Sequence, residues 1–360
     1  MSPLRIGVDA RELLGDATGV GRYLGELMRR WTTRADADMR RFILFAPDAL
    51  QRSFPGTDVR VLGGGGGTWW EQTTLSAAVR REAPDVFFAP AYTAPLRLAA
   101  PLVVTIHDVS FSRHPEWFSF REGTRRRWLT RSAARRARTV VTVSQFSARE
   151  IQEVYGVPAE RMAVVPNGLT SHQAGATVPR EPLVLYTGSL FNRRRLPDLI
   201  AAFARVVQAV PGAQLAIVGK DRSWPRQDLR ALAVSQGIDA RVRIADYVPD
   251  EELARLYGSA SAFGFLSEYE GFGLTPLEAL AAGVPIVVLD TPAAREVYGD
   301  AAAFVEPGDI RGTAEALTRL LVSPQARAAL LARAPDVLAR YSWDTAAAET
   351  LSILEEAARR

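Results

Sequence analysis

The chain has 360 residues, 48% of them hydrophobic, and 44 Lys plus Arg against 40 Asp plus Glu give a formal charge of +4. That length exceeds what one core usually holds and predicts two domains, while the apolar fraction excludes a disordered chain. Cysteine is absent, which excludes disulfides, thiolate zinc sites and cysteine nucleophiles together.

The chain opens on "MSPLRIGVDA", with no basic segment leading into a long apolar core, and no apolar run approaches about 18 residues. Neither a cleaved leader nor a membrane span is expected, and the expected location is cytoplasmic. Short β-branched runs then alternate with helical patterns, which predicts parallel sheets covered on both faces. Strands are expected at Leu4 to Val8, Phe42 to Phe45, Val59 to Leu62, Val86 to Phe88, Leu102 to Ile106, Thr139 to Val143 and Ala163 to Val165. Helices are expected at Gly21 to Trp31, Gln72 to Arg81 and Arg121 to Arg136. A second series follows in "LVLYTG", "AQLAIVG", "RVRIADY", "SAFGFL", "VPIVVLD" and "AAFVEP". Between the two series, residues 168 to 181 are polar and rich in breakers and read as a linker. The boundaries are therefore 1–170 and 181–342, with a final helix over about 343–360 expected to pack back on the first domain. Two doubly wound sheets predict a cleft at their strand ends, where open parallel sheets bind ligands.

Gly19 and Gly21 lie in "DATGVGRYLGEL", placed as a loop before a helix, where backbone amides can face an anion. As a dinucleotide fingerprint the stretch fails, because Leu24 stands where the third glycine belongs. A plain tight turn is the alternative. Asp36 and Asp38 read as a loop, and no metal-ligand cluster is visible. The run Gly63 to Gly67 reads as a flexible loop able to order over a ligand. In "VVTIHDVSF", His107 ends an apolar strand at the expected ligand edge, where it can bond a substrate or move a proton. A histidine bonded to local backbone is the competing reading. His114 and His172 carry no such context. Arg121, Arg125, Arg126, Arg127, Arg131, Arg135, Arg136 and Arg138 cluster beside Trp117, Phe118, Phe120 and Trp128. Such a helix suits anionic lipid headgroups or is simply solvated. No nucleic-acid module matches around it.

Arg193 and Arg194, with Arg195, precede a helix after the strand "LVLYTG" and suit a diphosphate, since guanidinium and helix dipole both favour an anion. In "YEGFGLTPLEALAAGVP", Thr275, Pro276 and Glu278 read as N-cap, first and third helical residues, with Gly283 past the end. A capping box thus explains Glu278 but leaves Glu270 without a role. Between them "GFGL" offers open backbone amides at a helix start. A ligand with sugar hydroxyls and a diphosphate would use both features.

The segment "EYEGFGLTPLEALAAGVPIVVLDTPAAREVYGDAAAFVEPGD" resembles the signature of the retaining glycosyltransferases of family 4, two glutamates separated by seven residues. The similarity extends to "GVGRYLGEL", "IHDVSFSRHPEWF", "VVTVSQFSAREI", "VVPNGL", "YTGSLFNRRRL" and "VRIADYVPDEELARLYGSA", so it spans essentially the whole chain in order. It implies the GT-B fold, two Rossmann-like domains facing across a cleft, with acceptor bound by the first and nucleotide sugar by the second. By this resemblance Glu270 bonds donor-sugar hydroxyls, Glu278 the ribose, the amides from Phe272 through Gly273 and Leu274 to Thr275 the sugar and phosphates, and Arg193 and Arg194 the diphosphate. Tyr247 and Val248 would lie by the base, His107 would face the donor sugar, and Gly19 and Gly21 would sit beside acceptor or diphosphate. Ser189 stands where many members carry a phosphate-binding arginine, and Arg194 replaces the more usual lysine.

The implied chemistry is metal-independent and cofactor-free, because the nucleotide sugar is a substrate. The expected donor is GDP-mannose, ahead of UDP-glucose and dTDP-rhamnose, and the expected acceptor a bacterial surface polysaccharide or lipid-linked glycan. A lipid-linked acceptor would place the protein peripherally on the inner face of a membrane. Two alternatives stay open: an epimerase or hydrolase of nucleotide sugars with the same fold, and a non-catalytic nucleotide-sugar-binding protein.

Overall fold

The structure is a computed structural model that describes residues 3–15, 19–170 and 179–359. The chain forms two compact units. One takes the residues up to Pro115, Phe120–Gly168 and the chain from Tyr341 on; the other takes Glu116–Ser119 and Leu169–Arg340. Most of the linker expected over 168–181 lies outside the described residues, as does His172.

Seven parallel strands build the first unit: β1 Leu4–Asp9, β2 Arg40–Ala46, β3 Thr57–Val61, β4 Val86–Ala89, β5 Leu102–Thr105, β6 Thr139–Thr142 and β7 Met162–Val164. They are ordered β3-β2-β1-β4-β5-β6-β7. Strands β4 and β5 are buried at every position, as expected where helices cover both faces of a parallel sheet. The Gly19–Thr33 helix turns Tyr23, Leu24, Leu27, Met28 and Trp31 to one side, the spacing of a single helical face. Trp31 stacks on Phe42 with centroids 5.6 Å apart, and its indole N–H donates to Ala347 O at 2.8 Å. Ala347 belongs to the terminal Trp343–Arg359 helix, whose Trp343, Ala346, Leu351 and Leu354 complete this core. Removing a ring as buried as Trp343 costs about 3–5 kcal/mol.

Three local expectations change. The first helix begins at Gly19, so Gly19 and Gly21 occupy its opening turn and not a preceding loop. Residues 68–82 form one continuous helical run interrupted by a π turn at Glu71–Leu75. Asp36 and Asp38 border and enter a 3₁₀ turn, and Asp36 pairs with Arg34 and Arg40.

The second unit holds β8 Glu181–Thr187, β9 Gln214–Val218, β10 Val242–Ala245, β11 Ala260–Phe265, β12 Ile286–Leu289 and β13 Ala302–Val305. Their order is β10-β9-β8-β11-β12-β13, again all parallel. The Leu196–Ala209 helix buries Leu199, Ile200, Phe203 and Val206 against this sheet. In each unit the winding reverses once, between β1 and β4 and between β8 and β11. The crevice beyond the strand ends at such a reversal is where open α/β sheets take their ligands.

Candidate functional site

In the second unit, β8 runs out through Gly188 and Ser189 to the 3₁₀ turn Asn192–Arg194, and β11 runs out through Ser267 to Glu270. The two loops are tied together. Glu268 N–H donates to Arg193 O at 2.9 Å, and Arg195 donates to Glu268 Oε1 and to Asp198 Oδ2, both at 2.6 Å. Arg195 is thus a strut between loops, while Arg193 and Arg194 turn to Glu270.

Glu270 Oε1 accepts from Ser267 Oγ at 2.6 Å, and Oε2 accepts from Arg194 Nη2 at 3.3 Å. Arg194 Nε and Arg193 Nε lie 3.1 and 3.7 Å from Oε1, ion-pair distances whose geometry does not make hydrogen bonds, so both Nε–H groups are buried without a partner. The guanidinium groups sit over the rings of Phe191 and Phe265, at 4.2 and 4.4 Å from the centroids. Two cations face one carboxylate here, and all three side chains are at most 16% exposed. Buried donors left unpaired cost about 1–3 kcal/mol each, a cost that an anion entering the crevice would offset.

The helix Leu274–Ala281 starts beside them. Its N-cap is Gly273 at φ +85°, with no side-chain cap. The capping box expected of Thr275 and Glu278 is therefore not formed: the left-handed glycine begins the helix two residues earlier, and Thr275 lies inside the first turn. Thr275 Oγ1 is buried without a partner, 3.9 Å from where a Cβ on Gly188 would stand. Gly273 is constrained twice, by its positive φ and by Tyr298, whose hydroxyl donates to Gly273 O at 3.0 Å and would lie 2.0 Å from an added Cβ. Phe272 is buried, whereas Leu274 is partly exposed. Glu278 is 3% exposed in the body of the helix. Gly283 closes the far end at φ +71°, with its N–H on Leu280 O and that of Val284 on Ala279 O.

The remaining expected residues are dispersed. Ser189 O accepts from Tyr186 OH at 3.0 Å, and burial pushes that phenol up to about 12, so it acts as a neutral donor. Tyr247 is exposed after the outer strand β10, but Val248 is buried and has only backbone to offer a ligand. In the first unit His107 is partly exposed, and its Nε2 lies 2.9 Å from Pro90 O. A carbonyl only accepts, so Nε2 carries the proton and Nδ1 is the accepting nitrogen. Burial lowers the His107 pKa and keeps the ring neutral near pH 7. The ring meets Tyr23 and Tyr92 edge-on. Gly21 is buried in the first helix, and Gly19 is exposed at its start.

Sequence reasoning missed Ser267 and Tyr298. Ser267 was legible as a hydroxyl three residues before Glu270, but Tyr298 is 25 residues from Gly273 and nothing local announces the contact.

Two parallel Rossmann-like sheets, the second carrying a cation-rich crevice at its reversal, define an α/β protein of GT-B architecture. Residues 170–337 match the family described as Glycosyl transferases group 1, and residues 17–173 match Glycosyltransferase Family 4. The MMP alpha-(1->4)-mannosyltransferase of Mycolicibacterium hassiacum is 31% identical over 284 residues, 73% of this chain and 67% of that protein. The chain belongs to this glycosyltransferase family. The GDP-mannose:cellobiosyl-diphosphopolyprenol alpha-mannosyltransferase of Komagataeibacter xylinus is 35% identical over 205 residues, 56% of this chain and 52% of that protein, so the match spans about half its length. Among solved structures, Anabaena HepE in complex with UDP and glucose superposes at TM-score 0.76 over 98% of this chain and 100% of that one. At 21% identity this likeness shows the fold. No helix among the described residues is long and apolar enough to cross a membrane.

Proposed function

We propose that the protein is a retaining, metal-independent hexosyltransferase that moves a sugar, mannose from GDP-mannose first among the candidates, to a hydroxyl of a glycan or lipid-linked acceptor. The second unit binds the donor and the first the acceptor. The observation that carries this reading is that two buried, unpartnered donors, Arg193 Nε and Arg194 Nε, flank Glu270 at a sheet reversal, with a third, Thr275 Oγ1, in the first turn of the helix that starts after Gly273. A diphosphate supplies acceptors to all three. Glu270, held by Ser267, accepts from sugar hydroxyls, Glu278 takes the ribose, Tyr247 and the Val248 backbone meet the base, and His107 Nδ1 accepts a hydrogen bond from the donor sugar.

In this reading the bond from the anomeric carbon to the phosphate oxygen breaks first. The acceptor oxygen then bonds that carbon from the same face, and its proton passes to the departing phosphate. The arginines and the first-turn amides stabilise the charge that develops on the diphosphate, so the chemistry requires no side-chain base. The names of the two mannosyltransferase relatives support the sugar, and the diphosphopolyprenol-linked acceptor of one supports a lipid-linked substrate.

A melting-temperature panel of GDP, UDP, dTDP and their sugars tests the reading. The true donor at a hundred times its dissociation constant adds about 2.7 kcal/mol of stability. A panel in which no nucleoside diphosphate stabilises the protein would sink it. Donor consumed without an added acceptor would turn the reading to a hydrolase.

A further inference from the structure

The reversal of the first sheet carries a polar cluster that the donor chemistry does not use. Asp9 ends β1, Thr93 follows β4, and Glu71 opens the π turn of the helix that covers them. Arg11 Nη2 donates to Asp9 Oδ2 at 2.6 Å and lies 3.6 Å from Glu71 Oε2, which also accepts from Thr93 Oγ1 at 3.1 Å. Asp9 is 5% exposed and Glu71 2%. Two polar atoms remain unmatched: Glu71 Oε1 and the indole Nε1 of Trp70, itself only 4% exposed, are buried without partners.

Glycine backbone lies against the Trp70 edge. A Cβ on Gly64 would lie 3.0 Å from Trp70 Cδ1 and 3.8 Å from its Nε1, and Gly66 O accepts from Arg11 Nη1 at 3.1 Å. Gly63, Gly64 and Gly66 all have positive φ, so the run Gly63 to Gly67 keeps a backbone that other residues rarely adopt. Without side chains it presents only backbone to the Trp70 edge. A π turn beside a sheet reversal is itself a frequent mark of a binding site.

We infer that Glu71 and Trp70 form a subsite for a neutral, polyhydroxylated ring, a sugar of the acceptor, beneath the Gly63 to Gly67 run. The chemistry selects that class. Trp70 offers one donor and Glu71 one oxygen, and a ring that carries several hydroxyls can meet each with a different one. Burial pushes the Glu71 carboxyl up, and protonated or ionised it still bonds a hydroxyl. Two carboxyl groups against the single Arg11 disfavour a phosphate or carboxylate ligand, the reverse of the charge balance around Arg193 and Arg194. The inference rests on the glycosyltransferase reading for the word acceptor, though not for the subsite itself.

The probes are methyl α-D-mannopyranoside and methyl α-D-glucopyranoside, titrated by saturation-transfer NMR into the full chain, with GDP and UDP titrated in parallel. At least one glycoside is expected to bind. Trp70→Phe, which removes the N–H and keeps the ring, and Glu71→Met are each expected to weaken it at least tenfold and to leave nucleoside diphosphate affinity within twofold. If Glu71→Met does not fold, Trp70→Phe alone decides. Glycoside affinity that Trp70→Phe leaves unchanged overturns the subsite, as does a wild type that binds nucleoside diphosphate and neither glycoside. Glycoside binding weakened by Trp70→Phe in a protein that binds no nucleoside diphosphate supports the subsite and overturns the donor reading.

Discussion

Glu270 holds Arg193 and Arg194 on one carboxylate, with Oε1 3.7 and 3.1 Å from their Nε atoms, and it is the only acid at that distance from either guanidinium among the described ion pairs. Removing it leaves two largely buried cations unopposed. Glu270→Ala is therefore expected to lower the melting temperature as well as turnover, the latter by about a hundredfold or more if two charge-assisted bonds of about 1.5–3 kcal/mol each are lost in the transition state. A nucleoside diphosphate supplies the missing negative charge and should recover more of the lost melting temperature in the variant than it adds to wild type. Calorimetry with and without ligand checks this. Equal shifts in both proteins would separate the arginines from the diphosphate.

Thr275 gives an opposite pair of effects. Its hydroxyl is buried and unpartnered, so Thr275→Val removes an unmet polar group and is expected to hold or raise stability, by up to about 1 kcal/mol. The same substitution deletes a donor from the proposed diphosphate site and should weaken nucleoside diphosphate binding several-fold. A variant that loses stability while binding unchanged would make the hydroxyl structural.

Gly273→Ala meets two penalties at once, a positive φ and a hydroxyl 2.0 Å from the new Cβ. We expect donor binding to fall at least tenfold, because the start of the Leu274–Ala281 helix must shift. Adding Tyr298→Phe removes the clashing oxygen but not the backbone strain, and should recover only part of the loss. Full recovery in the double variant, read by calorimetric titration, would mean that the φ carries no cost.

Much of this was legible in the sequence, for identifiable reasons. Strands buried on both faces are continuous apolar runs, so "VVT" and "IVVL" read as central parallel strands without further help. The meeting of Glu270 with Arg194 was not legible from spacing, because 76 residues separate them and only the order of β8 and β11 joins their loops. Thr275 misled because Thr-x-x-Glu is the local signature of a capping box, while the choice of cap was made by the φ of Gly273 and the contact with Tyr298. Glu71 was not singled out in "TWWEQTTL", one residue before the helix expected over Gln72 to Arg81, because nothing local marks it as buried. Its burial depends on Asp9 and Arg11 at the end of β1 and on Thr93 after β4, two other segments of the chain.

His107 yields a pH prediction. Burial holds its folded-state pKa below the ordinary histidine value of 6.5, so the unfolded chain takes up the proton first as pH falls. The stability that the neutral ring contributes is complete above pH 6.5 and is lost as pH falls from there through the folded pKa. A His107→Gln variant lacks this proton and should lose less stability than wild type between about pH 7 and 5. Parallel stability curves for the two proteins in that window would remove His107 as the titrating group.

The last prediction concerns the arginine helix Phe120–Arg136, which the structure divides in two. Arg127, Arg135, Arg136 and Arg138 donate to the carbonyls of Phe111, Tyr155, Pro95 and Ala357, and Arg126 pairs with Glu122, so these five are occupied within the fold. Arg135, Arg136 and Arg138 are exposed as well, but Arg121, Arg125 and Arg131 are the exposed ones with no carbonyl or carboxylate partner among the described residues. Arg125 donates to Thr68 Oγ1 at 3.1 Å, which brings the neighbouring Trp69 to the same surface. Trp69 is 81% exposed, Phe120 82% and Trp128 58%, large apolar groups that anchor a protein at a headgroup layer. If the acceptor is lipid-linked, this surface of the first unit is proposed to hold the enzyme on an anionic membrane. Three arginines at about 1 kcal/mol each correspond to roughly a hundredfold in partitioning. Cosedimentation with phosphatidylglycerol vesicles should therefore weaken with salt, and fall by at least about that factor when Arg121, Arg125 and Arg131 become glutamate. Trp69→Ala should weaken it further at every salt concentration, since its contribution is apolar. Vesicle binding indifferent to salt and to both sets of substitutions would refute the surface, and wild-type protein that does not bind at all would point to an acceptor free in solution.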